Sequence, residues 1–360
     1  MTDWSRYDES DAKVRPGRGS RPRSKVRPTH ADAVAGVVIA VDRGRYTVRV
    51  TGGAADAGVA GMTSGSAGAV GASDAVVMAV KARELGRRGL VVGDWVGLVG
   101  DVSGAPDTLA RIVRREERVT ALRRTADDTD IAERVVVANA GQLAIFAAVA
   151  DPEPNPRVID RCLVAGFDGG MRALLVLTKA DLASANALRA MYEPLGVVVI
   201  ETSVRRSGGP GADAGVALLR SAVADETTVF VGPSGVGKST LVNALVPDAD
   251  RAVGRVNDVT GRGRHTSTSS VMLELPGGGW IIDTPGVRSF GLAHVDPAHF
   301  ILAFPDVAAA ADELCPRGCS HESAELGCEL DVWASDDPDR HARIDSIRRL
   351  LASRAAGETY

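Results

Sequence analysis

Residues 232–239 read GPSGVGKS, which matches the pattern G-x-x-x-x-G-K-[ST] of loops that bind nucleotide phosphates. The loop follows an apolar run, TTVFV, and precedes a helix-like segment, STLVNALV, so both flanking elements of such a loop are present. Its glycines let backbone N–H groups surround phosphate oxygens at a helix N-terminus, where Lys238 would contact the phosphates and Ser239 would coordinate Mg²⁺. The alternative is a glycine-rich turn without a ligand. The predicted phosphate-binding residues are Gly232, Pro233, Ser234, Gly235, Val236, Gly237, Lys238, Ser239 and Thr240.

An acidic turn follows the phosphate loop by about fifty residues. The run GGGWIID ends at Asp283 and continues into TPG. A carboxylate at the end of a neighbouring strand is where a nucleotide-bound Mg²⁺ is held, and the Gly286 amide would contact the γ-phosphate. Val287 stands next, where many GTPases carry a glutamine that orients the attacking water. A valine side chain has no group that can orient water.

Two further loops are candidates for reading a nucleotide base. Residues 178–181 read TKAD, and Asp181 can accept hydrogen bonds from N1–H and the exocyclic amine of guanine, a pattern that adenine lacks. Lys179 would lay its stem along the base, with Thr178 preceding it. At the end of the run GVVVIE, Thr202 and Ser203 begin a loop whose backbone amides can face guanine O6. Taken alone, TKAD also suits a surface turn.

Lysine is scarce in this chain. Only five of the 42 basic residues are lysine, and two of them, Lys179 and Lys238, lie in the candidate nucleotide loops. Where arginine is otherwise preferred so strongly, a retained lysine suggests that its particular chemistry is needed.

Three cysteines and a histidine cluster near the C-terminus. The run CPRGCSHESAELGC places them in the pattern Cys-x₃-Cys-x-His-x₆-Cys. Three thiolates and one imidazole form a closed tetrahedral site typical of structural zinc. Disulfides or free core thiols are the alternative, but three clustered cysteines cannot all pair. The predicted zinc ligands are Cys315, Cys319, His321 and Cys328, while Cys162 stands alone.

The surrounding sequence predicts the elements that position these residues. Short β-rich runs from residue 36 to 116 predict a small barrel, interrupted by a Gly/Ala-rich insertion at 52–75. From about residue 142, apolar strands alternate with helices, which predicts a parallel sheet with helices on both faces. Ligands of such sheets bind at the carboxyl ends of the strands, where every candidate nucleotide loop lies. After residue 292 the sequence becomes helical, with an amphipathic segment at 343–355.

Composition restricts the class of protein. The chain has 360 residues and a formal charge of −4, and 45% of it is hydrophobic. Two or three domains are expected, without a disulfide scaffold, and no apolar run reaches the roughly 18 residues of a membrane span. With no signal peptide pattern at the N-terminus, we expect a cytoplasmic protein. Residues 1–30 carry eight basic and four acidic side chains, so this tail is either a solvated leader or an arginine-rich arm for RNA.

The order of the loops identifies a type of GTPase. The motifs resemble the five signatures of translation-factor-type GTPases, but TKAD and the loop at 202 precede the phosphate loop instead of following DTPG. The sequence therefore looks like a circularly permuted GTPase. Together with the preceding barrel, the segment GRGRHTSTS and the Cys/His cluster, it is similar to the ribosome small subunit-dependent GTPase A family of bacteria. The resemblance covers about residues 34–330.

That resemblance implies a multidomain chain. We expect a basic disordered tail at 1–32, an OB-fold barrel at 33–118, a permuted α/β P-loop GTPase domain at 119–291 and a helical zinc-binding domain at 292–360. It also implies GTP hydrolysis that is slow until stimulated by the small (30S) ribosomal subunit, during late maturation and in contact with its 16S rRNA. We expect a monomer that binds GTP or GDP with Mg²⁺ and one structural zinc ion.

Within this family interpretation, the threonine-rich segment supplies the remaining site residues. Thr266, with Thr268 as the alternative, would complete Mg²⁺ coordination beside Ser239 and Asp283. His265 is the polar side chain in this segment that could position water, or it could be a mobile residue or contact RNA. The predicted catalytic residues are His265, Lys238 and Thr266.

The chain departs from the family pattern in three places. Thr178 replaces the commoner asparagine, the loop at 202 reads TSV instead of SAL, and two gaps of the metal cluster differ by a residue. Two other functions stay open at this point: a P-loop ATPase, or an RNA-binding scaffold without significant turnover. The first leaves TKAD unexplained, and the second leaves Lys238, Ser239 and Asp283 unexplained.

Overall fold

The computed structural model describes most of the chain. The described residues are 30–42, 44–54, 75–86, 89–124, 134–204, 209, 211, 213–247, 270–284, 290, 292, 295, 300–323 and 327–355. Most of the predicted tail and most of the predicted insertion lie outside them, as do His265, Thr266, Thr268 and Gly286. The barrel, the large sheet and the C-terminal helices described below belong to one unit, Ala31–Tyr360.

Five N-terminal strands close into a barrel. The strand order is β1-β2-β3-β5-β4, and β4 returns to pair with β1. All neighbouring pairs are antiparallel except β3 and β5, which are parallel, as in an OB-fold. Alternating apolar residues such as Val38, Val48 and Leu98 fill the interior and are fully buried. The strands are β1 (Val34–Asp42), β2 (Arg45–Ala54), β3 (Val76–Lys81), β4 (Trp95–Gly100) and β5 (Ala110–Arg115).

A short two-stranded sheet follows the barrel, and a six-stranded sheet forms the centre of the molecule. In the six-stranded sheet the order is β10-β9-β8-β11-β13-β12, with β12 antiparallel and the other five strands parallel. The strands of the small sheet are β6 (Ala121–Arg124) and β7 (Arg134–Ala138). The large sheet contains β8 (Gln142–Ala148), β9 (Arg172–Thr178), β10 (Val198–Glu201), β11 (Thr227–Val231), β12 (Val271–Glu274) and β13 (Trp280–Asp283).

Helices cover both faces of this sheet, as the sequence predicts. Along β8, Leu143 and Ile145 belong to one hydrophobic cluster, while Ala144 and Phe146 belong to another. This alternation is what a strand buried on both faces requires. The helices are α1 (Pro156–Asp168), α2 (Asn186–Tyr192), α3 (Ala214–Val223) and α4 (Lys238–Leu245); α1 and α2 belong to the first cluster, α3 and α4 to the second.

The barrel and the large sheet join at their edges. Ala40 of β1 pairs with Val271 of β12, so the two sheets form one continuous hydrogen-bonded surface. Arg49 of β2 strengthens this junction, because its Nη1 lies 2.6 Å from a carboxylate oxygen of Glu274. Its guanidinium also lies 4.8 Å from the ring centroid of Trp280, at the start of β13. The barrel is therefore attached to the strand that ends in Asp283.

The C-terminal segment is helical, with three helices in the described residues. These are α5 (Pro305–Leu314), α6 (Leu330–Ala334) and α7 (Pro338–Ala355). The buried residues Ile344, Ile347 and Leu351 recur on one face of α7, which confirms its predicted amphipathic character. This face packs against α1. Single 3₁₀ turns occur at Arg83–Leu85, Glu193–Leu195 and Ile301–Ala303.

This architecture confirms the predicted fold class of a barrel, a central α/β domain and a C-terminal helical element. The exact domain limits stay predictions. None of the described helices is long and apolar enough to cross a membrane.

Candidate nucleotide site and metal cluster

The phosphate loop lies between β11 and α4, as predicted. Gly235 and Gly237 have backbone φ values of 82° and 94°, which residues with a side chain rarely adopt. Gly232 is needed for a different reason: a Cβ atom there would lie 2.6 Å from the carbonyl oxygen of Phe146. The loop therefore packs closely on the end of β8 and delivers its backbone to the N-terminus of α4.

Lys238 and Asp283 meet across this loop. Asp283 is the last residue of β13, directly beside Phe230 of β11. Its carboxylate forms an ion pair with the Lys238 ammonium, and both side chains are partly buried. The next residue, Thr284, fixes the turn, because its hydroxyl donates a hydrogen bond of 2.8 Å to the Phe230 carbonyl. A cation and a carboxylate thus stand together where phosphates and a metal ion are expected.

Thr178 connects the first base loop to the phosphate loop. Its buried hydroxyl donates to the carbonyl oxygen of Val236, 2.5 Å away. A threonine at this position therefore links the two loops through the backbone of the phosphate loop. Lys179 follows with a left-handed φ of 55°, and its ammonium donates to the carbonyl oxygen of Asp151. This contact draws the Lys179 side chain along the side of the cleft.

The two base loops are also bonded to each other. The Thr202 amide donates to the Leu177 carbonyl at 2.8 Å, and the Ala180 amide donates to the Thr202 carbonyl at 3.0 Å. The Ser203 amide donates to a carboxylate oxygen of Asp213 at 2.7 Å. As a result, the peptide groups at the start of this loop are held by the protein itself.

These loops enclose one cleft of about 600 Å³ at the carboxyl edge of the parallel strands. Among the predicted residues, Ser203 does not line the cleft, and Asp283 adjoins it through Lys238. The predicted residues His265, Thr266 and Gly286 lie outside the described part of the chain. The residues lining the cleft are Asp151, Thr178, Lys179, Asp181, Leu182, Thr202, Val204, Gly232, Pro233, Ser234, Gly235, Val236, Gly237, Lys238, Ser239, Thr240 and Leu241.

Sequence reasoning missed two residues of this site. Asp151 lines the cleft and contacts Lys179, and Asp213 holds the second base loop. Asp151 had a usable signal, because it lies just beyond β8 at the same sheet edge as the other loops. Asp213 is a good N-cap residue before an apolar helix, a pattern that predicts α3 but not the contact to Ser203.

The cysteines and histidine predicted as metal ligands come together. One ligand atom from each of Cys315, Cys319, His321 and Cys328 lies within 4.8 Å of the others. The His321 Nδ1 atom is 3.8 Å from the Cys328 sulfur, and both residues are buried. Arg348 supports the cluster from α7, since it donates to the His321 carbonyl and forms two hydrogen bonds with Asp331.

The pKa values of this cluster reflect its burial. Burial, opposed by a hydrogen bond with the Glu329 backbone and reinforced by the neighbouring thiols of Cys328 and Cys319, raises the pKa of Cys315 to about 11. Burial, followed by the charge of Arg348, lowers the pKa of His321, so its imidazole is neutral at pH 7 and can act as a ligand. A cation at the centre would favour the thiolate forms that burial disfavours.

Comparison with known proteins decides the family. A protein of Pseudomonas savastanoi pv. phaseolicola named small ribosomal subunit biogenesis GTPase RsgA is 39% identical over 248 residues, which span 67% of this chain and 69% of that protein. A family model described as RsgA GTPase matches residues 115–293. The chain belongs to the RsgA GTPase family. The RsgA protein of Azotobacter vinelandii is 37% identical over 270 residues, which span 73% of this chain and 75% of that protein.

Solved structures agree with RsgA membership at the level of fold. YjeQ from Thermotoga maritima superposes with a TM-score of 0.57 at 20% identity, covering 88% of this chain and 98% of its own. YloQ, described as a circularly permuted GTPase, superposes with a TM-score of 0.58 at 20% identity, covering 93% and 100%. The family resemblance, the permuted fold and the prediction of a GTP hydrolase are thereby confirmed.

Proposed function

We propose that this RsgA-family GTPase acts in late maturation of the small (30S) ribosomal subunit, and that its slow intrinsic GTP hydrolysis is stimulated by that subunit. One observation carries the proposal: the phosphate loop and both base loops line one cleft of about 600 Å³, in a chain whose relatives are named small ribosomal subunit biogenesis GTPases. By the same reasoning the partner surface includes 16S rRNA, and the protein acts as a cytoplasmic monomer.

Each part of the cleft has a role in this proposal. Backbone amides of residues 234–240 bind the phosphates, and Lys238 exchanges its ion pair with Asp283 for contact with phosphate oxygens. Asp283, Ser239 and Thr266 would then hold Mg²⁺, which would neutralise charge on the phosphates. The Gly286 amide binds the γ-phosphate. At the other end of the cleft, Asp181 accepts from the guanine edge and Lys179 lies along the ring.

Slow intrinsic turnover follows from what surrounds the γ-phosphate. Phosphoryl transfer depends on positioning and charge stabilisation, and Val287 has no group with which to orient water. We assign that role to His265, in the same segment as Thr266. A partner that positions this segment beside the γ-phosphate would complete the catalytic site, and this would account for stimulation by the small subunit.

The Cys/His cluster holds one structural zinc ion in this proposal. In a tetrahedral site with Zn–S bonds of about 2.3 Å, neighbouring sulfur atoms lie roughly 3.8 Å apart. Ligand atoms within 4.8 Å of one another are close enough to enclose such an ion after small side-chain rotations. Cys315, Cys319, His321 and Cys328 leave no position open for a substrate, so zinc would stabilise the fold.

The base loops favour guanine over adenine, and a variant of Asp181 tests this preference directly. Replacement of the Asp181 carboxylate by the amide in Asp181→Asn presents a donor where guanine also presents donors. We expect the variant to bind GDP at least about tenfold more weakly and to gain affinity for xanthosine diphosphate, whose C2 carbonyl accepts from the amide. Titration of GDP, ADP and xanthosine diphosphate into both proteins measures this switch.

The wild-type protein is the control in the same titration and should prefer GDP to ADP strongly. Equal affinity for ADP would favour a P-loop ATPase. Unchanged GDP affinity in Asp181→Asn would show that another loop reads the base.

A further inference from the structure

Asp213 joins the second base loop to a helix. It is 5% exposed and caps the N-terminus of α3, where its Oδ1 accepts a hydrogen bond of 3.1 Å from the Val216 amide. Its other carboxylate oxygen accepts the bond from the Ser203 amide. One buried carboxylate therefore serves two backbone donors, and its two oxygens point to different segments of the chain.

Close packing between the start of α3 and the end of β10 holds this connection in place. Gly215 lies in the first turn of α3, and a Cβ atom at this position would lie 1.8 Å from the carbonyl oxygen of Glu201. Only glycine permits such an approach of the helix to the end of β10. The helix start, the end of the strand and the loop at 202–204 are thus held in one arrangement.

Among the described residues 202–204 at the start of this loop, the hydrogen bonds leave one amide for a ligand. The Thr202 amide is used by Leu177 and the Ser203 amide by Asp213. Val204 lines the cleft, and within the described part of the chain no hydrogen bond occupies its amide. Ser203, whose amide is held by Asp213, does not line the cleft.

We propose that Asp213 is a positioning residue for guanine recognition, which holds Ser203 so that the Val204 amide donates to the 6-oxo group of the base. The inference rests on the proposed function, because it concerns the guanine nucleotide that this cleft takes. An N–H donor fixed at this point favours the guanine oxygen and opposes the amine that adenine carries at the same position. The Val204 amide and Asp181 then contact different groups on the same edge of the base, the 6-oxo oxygen and the N1–H with the exocyclic amine.

A change in the ligand separates these two contacts. In 6-thioguanosine diphosphate, sulfur replaces the 6-oxo oxygen and accepts hydrogen bonds weakly, while the groups facing Asp181 are retained. In inosine diphosphate the exocyclic amine facing Asp181 is missing, while the 6-oxo oxygen is retained. The two analogues therefore report on the two loops independently.

Asp213→Ser is the informative variant. Serine is a favourable N-cap, so α3 keeps its cap, but a single hydroxyl cannot also reach the Ser203 amide. Asp213→Asn is the second variant, because its one carbonyl oxygen can accept only one of the two bonds. Thermal unfolding of each variant shows whether the fold is kept.

We expect wild-type protein to bind GDP several-fold more tightly than 6-thioguanosine diphosphate. In Asp213→Ser, GDP affinity should fall about tenfold and the ratio of the two dissociation constants should approach one, since the donor is no longer fixed. The ratio between inosine diphosphate and GDP should stay at its wild-type value. A helix cap alone would not change one ratio and spare the other.

Three results would overturn the inference. They are a wild-type ratio of one for the sulfur analogue, an unchanged ratio in a folded Asp213 variant, and an equal loss of both ratios. Should Asp213→Ser fail to fold, Asp213→Asn decides between the same outcomes. A wild-type protein that binds ADP as tightly as GDP contradicts the proposed function itself, and this is seen before any variant is measured.

Discussion

At the scale of single residues, Thr178 shows how a site tolerates a departure from the family pattern. The family pattern more commonly has asparagine at this position, where this chain has threonine. In the structure its hydroxyl bonds to the Val236 carbonyl and is fully enclosed. Threonine thus supplies the one donor that this link between the loops requires.

Thr178→Val tests this link. Valine keeps the shape of the side chain but leaves the Val236 carbonyl without its donor, which costs about 1–3 kcal/mol when the group is buried. We expect GDP affinity to fall about tenfold, because the phosphate loop is no longer held against the base loop. Thr178→Ser keeps the hydroxyl and should bind nearly as well as wild type in the same calorimetric titration. Equal binding by all three proteins would contradict the role given to the hydroxyl.

Residue patterns predicted part of this site and not the rest. Residues 232–239 and Asp181 are found in sequence because each motif is continuous and its chemistry depends on neighbours in the chain. Asp151 and Asp213 act on groups 28 and 10 residues away, through contacts that exist only after folding. No local pattern records such a contact.

At the scale of elements, α7 connects the C-terminal helices to the GTPase sheet. Arg349 donates to the Met191 carbonyl at 3.1 Å and lies 3.3 Å from the carboxylate of Asp160. Its guanidinium also lies over the ring of Tyr192, with 5.1 Å between the guanidinium carbon and the ring centroid. Burial raises the pKa of Asp160, and the charge of Arg349 opposes that rise. The helix that follows the first base loop is therefore held at its C-terminal end by α7.

Loss of Arg349 should destabilise the protein strongly. In Arg349→Ala the Asp160 side chain stays buried at 3% exposure without its cation, and breaking a buried pair in this way costs about 3 kcal/mol. Urea unfolding followed by circular dichroism measures the difference. Adding Asp160→Asn to the same variant removes the uncompensated charge and should restore about half of the loss. A single variant as stable as wild type would show that α7 is held by its apolar face alone.

Removal of the metal should make the three clustered cysteines reactive towards a thiol reagent and leave the buried Cys162 unreactive. Cys162 is 2% exposed and burial raises its pKa to about 12, so it should not react in the folded protein. After chelation at pH 8, we expect a thiol reagent to label Cys315, Cys319 and Cys328 and the melting temperature to fall. Because their thiols must lose protons to bind metal, affinity should decrease as the pH is lowered.

Cys162→Ala is the control for this labelling and should leave the chelator-dependent signal unchanged. Labelling of the three clustered cysteines at the same rate before and after chelation would contradict the metal site.

Elements with strong periodicity were predicted correctly, and weaker ones were not identified. The sequence predicts β8, α1 and the amphipathic part of α7 from their apolar patterns. It did not identify β6 and β7, which have only four and five residues. Half of β6 is arginine, and β7 is buried only at its C-terminal end. Their pairing depends on the surrounding fold more than on their own propensity.

At the scale of the whole molecule, the barrel and the GTPase domain share one continuous hydrogen-bonded sheet. The junction between Ala40 and Val271 lies at the start of β12, and Arg49 contacts both β12 and β13. Since β13 ends at Asp283, a partner that binds the barrel is connected by hydrogen-bonded strands to the nucleotide site. The sequence predicted a barrel and a sheet, but the edge pairing between them is set by tertiary structure and has no sequence signal.

The paired strands between the barrel and Asp283 provide a physical route by which a large partner bound to the barrel would affect the nucleotide site. The near-neutral net charge of −4 combines a tail of about +4 with a body of about −8, so it neither requires nor opposes an RNA partner. Recognition of the subunit must depend on local surfaces instead of overall charge. The consequence of recognition should appear at the γ-phosphate, where the chain has no glutamine beside Gly286.

The most direct test is GTP turnover by the full-length protein, measured alone, with purified small ribosomal subunits and with large subunits. We expect slow turnover by the protein alone, an increase of about tenfold or more with small subunits, and no increase with large ones. Lys238→Ala should abolish turnover in all three conditions. Turnover that is unchanged by small subunits, or raised equally by large ones, would contradict the proposal that the small subunit completes this active site.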